Sequence, residues 1–312
     1  LKMKEDNARI NNISDQNITA VIVTYNPEIT QLQQLYSSLS GQVSHIVIVD
    51  NGSEINMKTI ALDSTILTPE IILNNVNLGI AYAHNRGIEW ARENGADYVL
   101  LMDQDSIPAS DMVEKLLTVQ EKHGSNVVVG PNYKDDKQNN PPPFIRIEGL
   151  SLKRCKQEKD RVEIEVDYLI SSGSLIPMQV FDKVGMMKEE LFIDYVDIEW
   201  GLRAKYNNIQ SYGVFNATMA HSLGEDPIEF MGRKIPLHSA LRHYYLCRNA
   251  VALYKEKWIP LNWKIVDGWR LLLRYVFYTV FTKSKIRHFK MMTKGLKHGL
   301  LGKMGKLNES RN

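Results

Sequence analysis

Apolar and polar positions along this chain change period several times, and the changes mark its elements. Ile18-Thr-Ala-Val-Ile-Val-Thr-Tyr25 is a nearly unbroken β-branched run, which predicts a buried strand ended by Asn26-Pro27. The pattern then turns helical from Glu28 to Leu39, with Ile29, Leu32, Leu35, Tyr36 and Leu39 on one side and Gly41 closing the helix. His45-Ile-Val-Ile-Val49 predicts a second strand and Ile71-Ile-Leu73 a short third. A loop from Asn74 to Gly79 leads into a helix from Ala81 to Glu93. Tyr98-Val-Leu-Leu-Met-Asp-Gln-Asp-Ser-Ile107 predicts a strand that runs straight into two carboxylates. This β-α-β alternation argues for a parallel sheet with right-handed crossovers.

The second half continues in mixed form. Val127-Val-Val129 reads as a strand, Tyr133 to Pro143 as a mobile surface loop, and Val162 to Ile176 as strands holding Ser171-Ser-Gly-Ser174. A helix starts near Asp197, a strand runs from Ser211 to Phe215, and Arg242 to Asn249 is helical. Two amphipathic segments close the chain. Trp269, Leu272, Leu273, Val276, Phe277 and Val280 repeat at helical spacing, as do Ile286, Phe289, Met292, Leu296 and Leu300.

Composition narrows the class. The 312 residues, 44% hydrophobic and 24% charged, suit a globular protein of one large α/β domain with an appendage, or of two modest domains. Two distant cysteines, Cys155 and Cys247, make neither a disulfide framework nor a cysteine metal site, and they suit a reducing cytoplasm. Leu1 to Asn17 lacks the apolar core of a signal peptide and reads as a loose leader. The net charge of +2 conceals a split: Lys264 to Lys306 holds eleven bases and one acid, leaving 27 bases against 35 acids elsewhere. A basic amphipathic end on an acidic body suggests surface binding at a membrane; packing on the body or on a second subunit fits the same pattern. A nucleic-acid partner is disfavoured, because the apolar face is continuous and the body acidic.

Candidate chemistry clusters where the predicted strands end. Thr24-Tyr-Asn-Pro27, Asp50-Asn-Gly-Ser53 and Asp103-Gln-Asp105 would share one sheet edge and outline a crevice. Asp103 and Asp105 face one way on an extended chain, so a hard divalent cation between them, or a solvated acidic turn, accounts for the pair. Asp50 fits both a nucleobase or ribose contact and an Asp-x-Gly turn. Neither Gly-x-Gly-x-x-Gly nor a P-loop occurs, which weakens dinucleotide and ATPase readings. Asp194, Asp197 and Glu199 form a second acidic concentration; one caps a helix, and one near a metal–diphosphate site would serve as general base, Asp197 foremost. His221 is a third metal ligand, a phosphate contact or a structural histidine. Arg242, Tyr245 and Asn249 share a helical face with Tyr244 and Arg248 on the next stripe; such arginines suit diphosphate oxygens or surface ion pairs equally.

Together these motifs resemble a known family. Val21-Ile-Val-Thr-Tyr-Asn26, Val49-Asp-Asn-Gly-Ser53, Asn77-Leu-Gly-Ile-Ala-Tyr-Ala-His-Asn-Arg-Gly87 and Asp103-Gln-Asp105 look like the donor-binding half of an inverting family 2 glycosyltransferase of GT-A fold. Tyr195-Val-Asp-Ile-Glu-Trp200 sits where that family carries its acidic catalytic motif, with Val196-Asp197 in place of the usual acidic pair. Ala220-His-Ser-Leu-Gly224 and the string from Tyr244 to Asn249 resemble the bacterial rhamnosyltransferase branch.

The resemblance implies an α/β, Rossmann-like, mostly parallel sheet flanked by helices, with a C-terminal amphipathic helical extension. It divides the chain into a leader (1–17), a transferase domain (18–250, with a nucleotide-sugar half at 18–130 and an acceptor and catalytic half at 131–250) and a basic helical extension (251–312). It implies transfer of L-rhamnose from dTDP-β-L-rhamnose to a saccharide, plausibly lipid-linked, at the inner face of the cytoplasmic membrane. Another nucleotide sugar such as a UDP-hexose, or a non-catalytic nucleotide-sugar-binding scaffold, is the alternative. Asp197 would be the base, with Asp194 and Glu199 as competitors. Thr24, Tyr25, Asn26, Asp50, Asn77, Gly79, Asn85, Arg86, Asp103, Gln104 and Arg248 would bind the nucleotide sugar. Asp103, Asp105 and His221 would hold Mg²⁺ or Mn²⁺, and Ser172, Gly173 and Trp200 would meet the acceptor. A homodimer through the amphipathic segments is compatible with the pattern.

Overall fold

The computed structural model describes residues 16–62, 67–134, 144–221, 225–230 and 233–308. Most of the expected leader and of the expected 133–143 loop therefore lies outside the described residues. In chain order the first half runs β1 (Ile18–Thr24), α1 (Ile29–Leu39), β2 (His45–Asp50), β3 (Glu70–Leu73), α2 (Ile80–Glu93), β4 (Tyr98–Asp103), β5 (Ser106–Pro108), α3 (Met112–His123) and β6 (Val127–Lys134). The second half runs β7 (Phe144–Glu148), β8 (Ser151–Cys155), β9 (Glu163–Val166), β10 (Leu175–Pro177), α4 (Met178–Val184), α5 (Val196–Tyr206), β11 (Gln210–His221), β12 (Glu225–Phe230), β13 (Arg233–Leu237), α6 (Ala240–Lys255), α7 (Leu261–Phe281) and α8 (Lys285–Leu301).

The main sheet has the order β3-β2-β1-β4-β10-β6-β11-β5, with β9 also pairing β11. β3, β2, β1 and β4 are mutually parallel, as the alternation predicts. β10 then runs antiparallel between β4 and β6. At three residues ending in Pro177, it is too short to leave a period in the sequence.

Period-two alternation divides the central strands between two cores. Val21, Val23, Val47, Val49, Val99 and Leu101 face α2 and the C-terminal helices. Ala20, Ile22, Ile46, Ile48, Leu100 and Met102 face α1 and α3. Both faces being covered explains why β1 is buried throughout. α2 approaches β1 so closely that a Cβ on Gly87 would lie 2.2 Å from Val21 Cγ1.

The C-terminal helices pack onto this body. α8 crosses α6 at two glycines: a Cβ on Gly295 would lie 2.4 Å from the Tyr244 carbonyl oxygen, and one on Gly299 2.5 Å from that of Arg248. α7 buries Trp263, Val266, Leu271 and Tyr278, yet Trp269, Leu272, Leu273 and Val276 each remain more than half exposed. Among the described residues no helix is long and apolar enough to cross a membrane.

Candidate active site

Parallel pairing aligns the strand ends. Thr24 is the register partner of Asp50, and Val23 of Asp103, so the residues that end β1, β2 and β4 lie side by side. The Thr24 hydroxyl donates to Asp50 Oδ1 at 3.0 Å, and the Gly52 and Ser53 amides donate to Oδ2 at 3.2 and 2.9 Å. Only 3% exposed, Asp50 thus organises the turn beneath the crevice. Gln104 clamps the Tyr25 backbone, accepting from its amide at 2.7 Å and donating to its carbonyl at 3.3 Å. Asn26, at φ 47, donates its amide to the Ser53 hydroxyl at 2.7 Å.

A second loop is held by asparagines. Asn51 Nδ2 donates to Asn77 Oδ1 at 3.0 Å, Asn74 Nδ2 donates to Asn51 Oδ1 at 3.3 Å, and the Leu78 amide donates to Asn51 Oδ1 at 3.0 Å. Asn51 and Asn74 were not among the candidates from sequence, although runs of asparagine after two strands are a turn signal. The loop ends at Gly79, φ 95, where a Cβ would lie 2.5 Å from the Phe192 carbonyl oxygen; that oxygen accepts from the Ile80 amide at 2.8 Å. The start of α2 therefore abuts the segment leading to α5. Arg86 is half-buried on α2.

The Asp103-Gln-Asp105 turn is fixed from below. The Ser172 hydroxyl accepts from the Asp103 amide at 3.1 Å and lies 2.7 Å from the Ser106 hydroxyl. β11 brings His221 into register with Ser106, one residue past Asp105; the His221 side chain lies outside what is described. No three His, Cys, Asp or Glu side chains gather as a ready metal centre among the described residues. Asp103 and Asp105 offer two carboxylates as hard oxygen donors. That fits a cation which keeps several waters and takes its remaining ligands from substrate phosphates.

Asp194 and Asp197 come from the turn that begins α5. Burial pushes the Asp197 carboxyl up to about 6, the negative charges of Asp103 and Asp194 adding to the rise and the Ile198 amide opposing it from 2.8 Å. Arg242 binds Asp194, Nη2 to Oδ1 at 2.6 Å, and its charge also feels Asp103 and Asp197. The charges of Asp103, Asp194, Asp197 and Arg242 thus act on one another near the end of β4.

Several expectations are corrected. Glu199 does not compete as base: it is fully buried, with both oxygens held at 2.9 Å by Arg203. Arg248 does not face a nucleotide. It has no exposure, and its guanidinium donates to the carbonyls of Glu190 at 3.1 Å, Leu191 at 2.8 Å and Gly305. Asn85 is a clamp, exchanging hydrogen bonds with the Met187 backbone at 3.0 and 2.9 Å. Trp200, 4% exposed, packs on Phe181 and donates to the Gly185 carbonyl at 2.9 Å, so it offers no acceptor surface. Ser172 and Gly173 are buried as well, Gly173 at φ 83 with Pro131 filling the place a Cβ would need. Ser172 supports the Asp103 amide, and the Gly173 amide donates to the Leu101 carbonyl at 2.7 Å.

The chain is similar to known proteins in sequence and in fold. Residues 19–185 match the family model "Glycosyl transferase family 2". The chain is 33% identical over 292 residues to the dTDP-rhamnosyl transferase RfbF of Shigella flexneri, covering 93% of this chain and 98% of that one. It is 22% identical over 298 residues to the low-salt glycan biosynthesis hexosyltransferase Agl10 of Haloferax volcanii, covering 93% and 92%. Its fold is similar to that of S. aureus TarS residues 1–349, solved with UDP-GlcNAc, at a TM-score of 0.59 and 16% identity over 91% of this chain and 81% of that one. The α/β, GT-A-type architecture expected from sequence is therefore the one observed.

Proposed function

Because the chain belongs to glycosyl transferase family 2 and is a glycosyltransferase, we propose that it transfers L-rhamnose from dTDP-β-L-rhamnose to a saccharide during synthesis of a bacterial surface polysaccharide. The choice of donor rests on the likeness to RfbF over nearly the whole of both chains. The chemistry rests on Asp197, a carboxyl raised to about 6 beside Asp103 at the strand-end crevice.

In this reading residues 18–130 form the nucleotide-sugar half, 131–250 the acceptor and catalytic half, and 251–312 the extension. Tyr25, Asn26 and Gln104 line the nucleotide over the turn that the buried Thr24 and Asp50 organise. Asn77, Gly79 and Arg86 lie on the side of the loop and of α2. Asp103 and Asp105, with His221, would hold Mg²⁺ or Mn²⁺, and a cation bound there would offset the negative charge that develops on the departing diphosphate. Asp197 takes the proton from an acceptor hydroxyl, whose oxygen forms the new bond to the anomeric carbon from the face opposite the leaving group. The bond from that carbon to the diphosphate breaks, its electron pair leaves with dTDP, and the configuration inverts.

The acceptor is lipid-linked, and the enzyme works at the inner face of the cytoplasmic membrane. The exposed apolar side of α7, flanked by basic residues, supports this placement.

The test is a thermal-shift panel of dTDP, UDP, GDP and their sugars, each with and without Mn²⁺ or Mg²⁺. A ligand of the native state raises its melting temperature by mass action. The largest shift is expected with dTDP-β-L-rhamnose plus metal, and Asp105→Asn is expected to abolish the metal-dependent part. A UDP-selective shift would overturn the donor, and a shift indifferent to EDTA would overturn the metal.

A further inference from the structure

We infer that Asp267, on α7, is a positioning residue for the turn that carries the base and acts on it through Tyr195; the inference rests on Asp197 being that base. Phe192, Asp194 and Tyr195 adopt φ of 65, 64 and 64, and none is glycine. Left-handed backbone at three non-glycine positions within four residues persists only where surrounding contacts over-determine it.

Those contacts come from the C-terminal helices. Asn249 Nδ2, on α6, donates to the carbonyls of Leu191, Ile193 and Asp194 at 3.0, 2.9 and 2.8 Å. This grips the near side of the turn. Its far end is Tyr195, which immediately precedes α5 and stands two residues before Asp197. The Tyr195 ring is 4% exposed, and its hydroxyl donates to Asp267 Oδ2 at 2.9 Å across 72 residues of chain. Asp267 is 6% exposed and receives a second hydrogen bond on the same oxygen, from the Tyr254 hydroxyl at 2.6 Å. A carboxylate buried at that depth costs more than an apolar side chain would, unless it is hydrogen-bonded as here. Fixing the tip of Tyr195 fixes its ring and, with it, the rotation of the backbone from which α5 and Asp197 project. α6 and α7 thus pin the two ends of one strained turn.

Tyr195→Phe and Tyr254→Phe provide the test, because each removes one hydroxyl from the same Asp267 oxygen and only the first touches the turn. Turnover is read as dTDP released by hydrolysis of dTDP-β-L-rhamnose, which needs no identified acceptor, with Asp197→Asn in parallel. Amide hydrogen exchange over residues 191–199 is measured on the same samples. Tyr195→Phe is expected to lower kcat about tenfold at unchanged KM, as a misaimed group does, and to speed exchange in that segment. Tyr254→Phe is expected to hold kcat within about twofold of the parent and to leave exchange there unaltered. Equal losses in both variants, or a Tyr195→Phe protein with parental kcat and exchange, would overturn the inference. Undiminished turnover in Asp197→Asn would instead strike the base itself. Where hydrolysis is too slow to follow, the contrast in exchange between the two variants decides.

Discussion

Arg242 grips Asp194 at two points, Nη2 to Oδ1 at 2.6 Å and Nε to Oδ2 at 3.4 Å, across 48 residues of chain. The pair divides labour within the acidic turn. Asp194 is committed to a guanidinium, whereas the hydrogen bond held by the Asp197 carboxylate comes from the Ile198 amide at the start of α5. Asp197→Asn is therefore expected to lower kcat by about a thousandfold with donor binding retained, within the range for loss of a general base. Asp194→Asn is expected to cost only about tenfold, through geometry. Calorimetric donor affinity measured beside steady-state rates checks the split; a variant order reversed from this would transfer the role to Asp194.

The pH dependence follows from the same carboxyl. Asp197 must be ionised to accept a proton, and burial raises it to about 6. Turnover is expected to fall about tenfold per pH unit below that value and to be level above it. Stability should run the other way. A carboxyl raised in the folded state stabilises most when protonated, below its unfolded value near 4, and that contribution is lost as pH rises through about 6. Asp197→Asn removes this loss, so the ligand-free variant is expected to be more stable at pH 7 by on the order of 2 kcal/mol, and no more stable at pH 4. Melts of both proteins at the two pH values are the measurement, and parallel curves would contradict it.

Glu199 and Arg203 form a different sort of pair. Glu199 is wholly buried, and both its oxygens meet the guanidinium at 2.9 Å. Arg203→Ala would leave that buried carboxylate with only the Lys188 ammonium, 3.5 Å from Oε1, to offset it, at an expected cost of about 3 kcal/mol. Arg92 and Asp182 also lie 2.9 Å apart, but with side chains 43% and 66% exposed. Breaking that pair should cost at most about 1 kcal/mol. Urea unfolding of the two single variants reads the contrast directly.

What the sequence disclosed depended on the range over which a signal acts. The strand-end carboxylates were legible because unbroken apolar runs such as Val21 to Val23 and Val47 to Val49 announce their strands, and parallel pairing must bring the ends together. The Glu199–Arg203 pair was also on view, at i and i+4 of a helix, and would have withdrawn Glu199 from candidacy. Arg248 was not legible. An arginine in an amphipathic helix reads as a phosphate fork, and only the fold surrounds it with the carbonyls of Glu190, Leu191 and Gly305. Ser172 likewise lies 69 residues from the Asp103 amide it supports, a separation no local pattern reports.

The face of α7 supplies the last prediction. Trp269, Leu273 and Val276 fall at i, i+4 and i+7 and are 61%, 51% and 53% exposed, so they form one apolar stripe while the opposite side of the helix packs on the body. Lys264, Lys283 and Lys285 flank the stripe in sequence and Arg270 falls within its span, and each base near an anionic leaflet contributes about 1 kcal/mol. The protein is expected to float with vesicles containing anionic lipid and less so with neutral ones, and added salt should weaken the binding. Changing Trp269, Leu273 and Val276 together to Ser should cut vesicle binding at least about tenfold, since each loses burial in the interface. Hydrolysis of dTDP-β-L-rhamnose in solution should be unchanged, because none of the three meets the crevice. If the triple variant instead converts a dimer into a monomer on sedimentation and binds vesicles as the parent does, the stripe is covered by a second copy and the membrane placement falls.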